Sequence, residues 1–238
     1  MLIMFMYKKR ARVYINMKIF SKALLSGYII SILISFLGFS SNCDSVSRKV
    51  FRLHIIANSD SAEDQSLKLK VRDRILNEVG ADLVNANDII EAEQIAEKNM
   101  EEIECIAEDE ISENGYNYNV KAEVVHMYFD TRYYGKITMP AGYYDALRVV
   151  IGEGKGKNWW CVMFPPMCLP AAQESGELER VLNMQEVDML DSGQKYVLEF
   201  KLVDWYVKLQ EFIREFAYDP IKSFFEDMDM PYNAEFKV

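Results

Sequence analysis

The chain has few of the residues and spacings that build metal and nucleophile sites. It contains two histidines, His54 and His126, and four cysteines in 238 residues. No HxxxH, HxxE or CxxC spacing suggests zinc, and no GxSxG nucleophile elbow occurs. We therefore expect no metal, no cofactor and no catalytic residues. Both histidines are expected to serve as core or surface residues.

The glycine-rich stretch Gly152–Gly156, with the letters GEGKG, does not have the pattern of a phosphate loop. The GxxxxGK[ST] motif is missing, and a predicted strand follows where a phosphate loop would lead into a helix. We interpret it as a hairpin loop that joins a strand at 144–151 to a strand at 158–164.

Basic residues are scarce after the first 42 positions. Residues 1–42 hold six basic residues and no acidic one, whereas the remainder holds 21 basic and 37 acidic residues, a net charge of −16. An acidic surface gains nothing from counterion release along a phosphate backbone. The composition therefore argues against nucleic-acid binding.

A charge-free run of seventeen apolar or small residues, Ala23–Phe39, follows those six basic residues. This order predicts an export signal whose N-terminus stays inside, and it places the acidic body outside the cytoplasm. Gly38–Ser40 could be cleaved, while the length also suits a signal anchor that keeps the chain on the membrane. Met17 begins a complete signal and is an alternative start. Lipidation of Cys43 is disfavoured by the residues before it.

The pattern after Cys43 predicts an α+β fold. A linker at 40–47 leads to a buried strand at 50–56, and helical periodicity follows at 61–79 and 88–112. From Tyr118 onward the period becomes two, which is typical of strands. We expect a single domain in which two N-terminal helices pack on a mostly antiparallel sheet, preceded by the apolar export segment.

Four segments are expected along the chain. Residues 1–42 form the basic region with the signal peptide or anchor, and residues 48–170 form the extracytoplasmic α+β domain. Residues 171–195 are an acidic connection, and residues 196–238 contain a C-terminal helix and a tail.

The window Asn158–Cys168 is the most unusual part of the sequence. Strand alternation places Trp159 and Trp160 on opposite faces, one in the core and one available for contact. A large aromatic residue on a wet face is typical of protein interfaces, although packing of both tryptophans is the alternative. Cys161 and Cys168 are a candidate disulfide, because export permits one.

A set of short windows between residues 50 and 170 forms a specific pattern. They are Ala57–Ser61, Asp64-Gln65, Lys70–Asp73, Tyr134-Gly135, Pro140–Tyr143, and the residues Gly152, Gly154, Asn158, Cys161, Phe164–Pro166 and Cys168. Together they resemble the stage II sporulation protein R family of endospore-forming bacteria. His54, His126 and Asp130 do not belong to that pattern, which argues against a shared active site at the histidines.

The resemblance implies a signalling protein rather than an enzyme. Members are made in the forespore and exported into the space facing the mother cell. There they trigger a membrane-embedded aspartic-type protease, which matures the precursor of the sigma-E factor. The expected partners are thus that protease and, if the apolar segment is uncleaved, the membrane.

We expect the partner-binding surface at two turns and the tryptophan window. Its candidate residues are Asn58, Ser59, Asp60, Tyr134, Pro140, Tyr143, Asn158, Trp159 and Trp160. The alternative is a cell-envelope hydrolase that uses Asp60, Asp64, Arg72 and Asp73. Helix capping and surface pairing explain these four residues more simply.

The proposed bridge between Cys161 and Cys168 predicts a measurable mass. The intact mass of the exported chain should rise by two hydrogens on reduction, because a disulfide takes up one hydrogen on each sulfur. Mass spectrometry with and without a reductant measures this. Two free thiols at these positions in the exported form would contradict the bridge.

Overall fold

A computed structural model describes residues 2–167, 176–191 and 196–213. The chain divides into two units, Met1–Asn42 and Cys43–Val238. The first unit is helical and belongs to α1 (Leu2–Ser47), which continues into the second unit. Within α1, Lys22–Ser47 has a mean hydropathy of 2.0 and is long enough to cross a membrane. An apolar helix of this kind is compatible with export or with membrane anchoring.

The predicted linker at 40–47 is instead the last part of α1. Cys43 and Val46, three positions apart and therefore on one helix face, are fully buried in the second unit. Burial of this face keeps the segment helical despite its Ser and Asn residues, which favour turns.

In the described residues of the second unit, one strand is followed by four helices, then by five consecutive strands and by a helical C-terminal part. The elements are β1 (Phe51–Ile56), α2 (Ala62–Glu78), α3 (Gly80–Val84), α4 (Ile89–Lys98), α5 (Met100–Glu113), β2 (Val120–Phe129), β3 (Arg132–Tyr134), β4 (Ile137–Met139), β5 (Gly142–Ile151), β6 (Asn158–Phe164), α6 (Glu177–Val181), α7 (Met184–Asp191) and α8 (Val197–Ile213). The six strands of the described residues form a four-stranded sheet and a two-stranded sheet.

The two predicted helices are present but are more divided than expected. Ser61 caps α2 by accepting the Asp64 N–H at 3.1 Å, as the sequence predicted. Gly80 starts α3 rather than ending the helical region. Asn99 separates α4 from α5 with φ −97° and ψ 15°, so the predicted helix at 88–112 is two helices. Asparagine favours such breaks because its side chain competes for backbone hydrogen bonds.

The main sheet is mixed, with the strand order β2-β5-β1-β6. Pairing of β1 with β5 is parallel, whereas β1 with β6 and β2 with β5 are antiparallel. The predicted α+β fold with a mostly antiparallel sheet is thus confirmed. The predicted hairpin between β5 and β6 is wrong, because β1 lies between them. β1 is buried along nearly its whole length, and the central place in the sheet buries it best.

One face of the sheet carries the main hydrophobic core. Alternate residues of the strands, such as Leu53, Ile55, Leu147 and Val149, pack there against apolar residues of the helices α2–α5. The other face holds Arg52 and His54 of β1, which are buried as well. The two faces therefore have different chemistry, and the candidate site residues divide between them.

The acidic connection predicted at 171–195 contains the helices α6 and α7 in its described part. Glu186 of α7 is 1% exposed and accepts hydrogen bonds from Lys49 Nζ at 2.7 Å and Ser45 Oγ at 2.6 Å. Burial would raise the pKa of Glu186, but these donors outweigh it and lower the pKa. An ion pair between the buried Glu186 and the partly exposed Lys49 thus holds α7 to the start of the domain.

The predicted C-terminal helix is α8. It buries Phe200, Val203 and Val207, whereas Trp205 is 63% exposed. Its polar contacts to the sheet are made by the hydroxyls of Tyr128 and Tyr143, which donate to Asp204 at 2.8 Å and Glu211 at 2.6 Å. The tail from residue 214 onward lies outside the described residues.

Candidate partner-binding surface

The turn after β1 is tied to the β5–β6 connection by backbone hydrogen bonds. The amides of Lys155 and Gly156 donate to the carbonyls of Asn58 and Ala57 at 3.1 and 2.9 Å. The Lys157 amide donates to Asp60 Oδ1 at 2.7 Å. We call Asn58–Asp60 together with residues 152–157 the Asn58 clasp. These hydrogen bonds hold the β5–β6 connection where it crosses the C-terminal end of β1.

Asp64 anchors the Asn58 clasp to α2. Its carboxylate accepts hydrogen bonds from Asn58 Nδ2 at 2.9 Å and Ser59 Oγ at 2.6 Å. Burial would raise the pKa of Asp64, but the hydrogen bonds from Ser59 and Asn58 outweigh it and lower the pKa. The predicted contact residues Asn58, Ser59 and Asp60 therefore have structural partners within the domain.

Two glycines allow the clasp to close. A Cβ on Gly156 would lie 2.2 Å from the Ser59 carbonyl oxygen, and a Cβ on Gly152 would lie 2.3 Å from Asn58 Oδ1. Gly152 also has φ +57°, a left-handed conformation that side chains disfavour. The glycines in this stretch thus serve close backbone packing, in place of the predicted hairpin turn.

Trp159 faces the helices and packs against the main core. The Arg72 guanidinium carbon lies 4.3 Å from the centroid of its ring, a cation–π contact. Its buried Nε1 has no hydrogen-bond acceptor among the described residues. Trp159 is therefore mainly a packing residue.

Trp160 lies on the opposite face, as strand alternation predicted. It stacks on His54 with ring centroids 3.8 Å apart and meets Phe129 edge-on at 4.7 Å. The Arg132 guanidinium carbon lies 5.6 Å from its ring. Burial lowers the pKa of His54 to about 4, against a smaller raising effect of Asn158. His54 is thus neutral at pH 7 and serves as a packing surface for Trp160.

Tyr134 links Trp160 to a buried arginine. Its hydroxyl accepts a hydrogen bond from Arg52 Nη2 at 2.6 Å and donates to the Trp160 carbonyl at 3.2 Å. We call Trp160, Arg132 and Tyr134 the Trp160 patch. All three are half-buried, so the patch offers aromatic and cationic groups in fixed positions.

Pro140 and Tyr143 lie at the other end of the sheet. β5 runs parallel to β1, and Ala146 of β5 pairs with Arg52 of β1. The start of β5 therefore lies at the Arg52 end of β1, whereas Asn58 follows the opposite end. Six strand residues separate these ends by about 20 Å. The buried Pro140 accepts a hydrogen bond from Tyr144 Oη at 2.7 Å, and Tyr143 faces α8. The structure therefore does not gather the predicted residues into one surface.

Cys161 is disulfide-bonded. Cys43 and Cys105 carry free thiols, the first buried and the second exposed. Cys168 lies outside the described residues, so its pairing with Cys161 stays a prediction.

Sequence reasoning missed the residues that support the Trp160 patch. Arg52, His54 and Phe129 surround it from β1 and β2. The available signal was the alternation of Arg52 and His54 with apolar residues in β1, which places both on one face. Nothing in one strand shows which distant aromatic residues meet that face.

A second cluster, formed by Glu93, His126 and Asp145, joins α4 to β2 and β5. His126 Nδ1 lies 2.7 Å from Asp145 Oδ1, and the ring of His126 stacks on Tyr143. Burial and the nearby Asp145 raise the pKa of Glu93 to about 7. Within the described residues, no group of three or more His, Cys, Asp or Glu side chains is placed to hold a metal ion.

Comparison with known proteins identifies the domain. The family model described as Stage II sporulation protein R (spore_II_R) matches residues 47–174, more than half of the chain. The chain belongs to the stage II sporulation protein R family. The match covers β1 to β6, and thus both the Asn58 clasp and the Trp160 patch, while nearly all of α1 lies outside it.

A relative in the family is stage II sporulation protein R of Bacillus subtilis (strain 168). It is 38% identical over 120 residues, which are 50% of this chain and 54% of the relative. The alignment therefore spans about half the length of the curated relative. No solved structure matches the chain.

The Asn58 clasp predicts a severe effect of one added methyl group. Gly156→Ala should lower the free energy of unfolding by about 2 kcal/mol, because Cβ would collide with the Ser59 backbone and force the clasp apart. Urea denaturation of the full chain in mild detergent measures this. Gly142→Ala is the matched control, since its Cβ would meet nothing closer than 3.7 Å. Equal effects of the two substitutions would contradict the clasp.

Because the pKa of Glu93 is raised, replacing its carboxyl group should increase the free energy of unfolding by an amount that depends on pH. The Glu93 carboxyl group binds its proton more tightly in the folded chain than in the unfolded chain. Ionisation of Glu93 therefore lowers the stability of the folded chain as pH rises from about 4.5 to about 7. Glu93→Gln should therefore raise the free energy of unfolding at pH 8 by about 1 kcal/mol after solvent screening, and change little at pH 4.

Urea denaturation at the two pH values tests this effect. Glu101→Gln, which removes an exposed charge from α5, controls for net charge. A gain of equal size for Glu93→Gln at pH 4 and pH 8 would contradict the proposed titration.

Proposed function

We propose that this protein is an exported sporulation signal that activates a membrane-embedded aspartic protease, which processes the precursor of the sigma-E factor. The observation that carries the proposal is the family match across the entire sheet. On this proposal the protein leaves the forespore and acts in the intermembrane space, secreted or anchored by α1.

The N-terminal helix supports this location. Its apolar stretch follows all six basic residues of the first 42 positions, an order that keeps the N-terminus inside and sends the acidic domain across the membrane. The disulfide at Cys161 also fits a compartment outside the reducing cytoplasm.

We propose the Trp160 patch as a contact surface for the protease. Aromatic residues and arginines are enriched at the energetic centres of protein interfaces. The ring of His54 stacks on the Trp160 indole and Phe129 meets it edge-on, so the indole is already held in place. Little conformational entropy is therefore lost when a partner covers it. Tyr133, which lies between Arg132 and Tyr134 on β3, is exposed.

The four polar residues of the hydrolase alternative have structural contacts in the domain. Asp60 and Asp64 bind the Asn58 clasp. Arg72 pairs with Asp73 and stacks on Trp159. These contacts explain the four side chains without catalysis, so contact signalling is the function we propose.

Reconstitution in a non-sporulating host tests both the function and the patch. Co-expression of the full chain with the protease and the sigma-factor precursor should yield cleaved precursor. Trp160→Ala should lower the cleavage rate at least tenfold, because hot-spot aromatic residues contribute about 2 kcal/mol or more to binding. Immunoblots of the precursor over time give the rate.

Ile90→Ala is the matched control, because Ile90 is 61% exposed on α4 and remote in sequence from the patch. Urea midpoints of both variants separate lost contact from lost stability. Absence of cleavage with the intact chain would overturn the function. Full cleavage with Trp160→Ala would overturn the patch.

A further inference from the structure

The outer edge of β2 is only partly closed. β2 is the first strand in the order β2-β5-β1-β6, so one side has no neighbouring strand. The Val120 amide donates to Glu108 Oε1 at 3.1 Å, and the Ala122 amide donates to Glu104 Oε1 at 2.8 Å. Side chains of α5 therefore satisfy the first two outward-facing amides of this edge.

The following outward-facing amides have no such partner. Because strand residues alternate with a period of two, Val124, His126 and Tyr128 turn their N–H groups to the same side as Val120 and Ala122. No described residue forms a hydrogen bond with these three amides. The His126 side chain is 62% exposed at the centre of this stretch.

The opposite edge of the sheet differs. On β6, the Trp160 carbonyl accepts a hydrogen bond from Tyr134 Oη at 3.2 Å. The Val162 carbonyl, two residues later, accepts one from the Met167 amide at 3.2 Å. Proteins commonly protect sheet edges in such ways, because an open edge pairs with other strands. In the described part of the chain, Val124–Tyr128 has no such protection and is thus a stretch where a strand can add.

The charges around Val124–Tyr128 indicate the kind of strand. Glu104 lies at one end, and Asp204 accepts the Tyr128 hydroxyl at the other end. Asp145 lies 2.7 Å from His126, and Glu93 is beside both. Lys208 is already paired with Asp130 and Asp204, at 3.0 Å each. A basic segment would be attracted to this edge, whereas a second copy of this chain would bring like charges together.

We propose that Val124–Tyr128 binds an extended basic segment of the partner protein, which adds to the sheet as a fifth strand. The inference rests on the proposed function, since the partner is the protease activated there. Main-chain hydrogen bonds would supply affinity, and lysine or arginine side chains facing the acidic groups would supply selectivity.

Hydrogen exchange of the full chain with detergent-solubilised protease tests the binding edge. The amides of Val124, His126 and Tyr128 should exchange at least tenfold more slowly in the complex. Raising the salt concentration from 0.05 to 0.5 M should weaken the complex, because the charges are exposed and become screened. Protection of these amides in the isolated chain, by a second copy or by another part of the chain, would overturn the inference.

A pair of substitutions isolates the backbone contribution. His126→Pro and His126→Thr both remove the imidazole, but only proline removes the outward N–H and blocks strand addition. The proline variant should bind the protease at least tenfold more weakly than the threonine variant. Exchange of the remaining β2 amides with β5 reports whether the proline variant stays folded.

The outcomes distinguish the two proposals. Precursor cleavage by both variants at equal rates, with equal affinity, overturns the edge inference and leaves the proposed function intact. Binding with protection confined to residues around Trp160 also overturns the edge inference. Failure of the unsubstituted chain to bind or activate the protease overturns both.

Discussion

The face of the main sheet opposite the helices α2–α5 depends on one buried cation, the guanidinium of Arg52. It is fully buried, and none of the described residues gives it a carboxylate partner. The rings of Phe129 and Tyr144 lie 4.2 and 4.8 Å from its central carbon. Cation–π contacts that exclude water contribute about 2 kcal/mol each and offset the cost of desolvation. Arg52 therefore holds β1, β2, β5 and the β3–β4 pair around one charge.

This arrangement explains why the Trp160 patch is rigid. Tyr134 accepts from Arg52 Nη2 and donates to the Trp160 carbonyl, so the network that holds the cation also positions Trp160. The buried Nη1 of Arg52 has no hydrogen-bond partner among the described residues. The helix-covered face works differently, because apolar packing of α2–α5 supplies most of its stability. A sheet with one apolar and one aromatic-cationic face can thus keep a stable core while presenting fixed polar groups elsewhere.

Local signals in the sequence predicted local structure well. Ser61 and Asp64 mark the start of α2, and the adjacent tryptophans divide between the faces as alternation requires. Pairing of distant strands was not predictable in this way. The glycine-rich stretch has the composition of a hairpin loop, yet β1, which is buried on both faces, takes the place between β5 and β6. The partners of Arg52 depend on that pairing, so the candidate site was predicted only in part.

The central place of β1 has a consequence for the order in which the chain can fold if it is exported as proposed. Arg52 and Cys161 meet across 109 positions of sequence. On the proposed export, the N-terminal signal leads, so β1 crosses the membrane before β5 and β6 and reaches the outer compartment without either neighbour. Contacts this distant in sequence form slowly. On the proposed export, a strand that is buried along nearly its whole length stays unpaired until its last partner has crossed, so the sheet is completed only after β6 has reached the outer compartment.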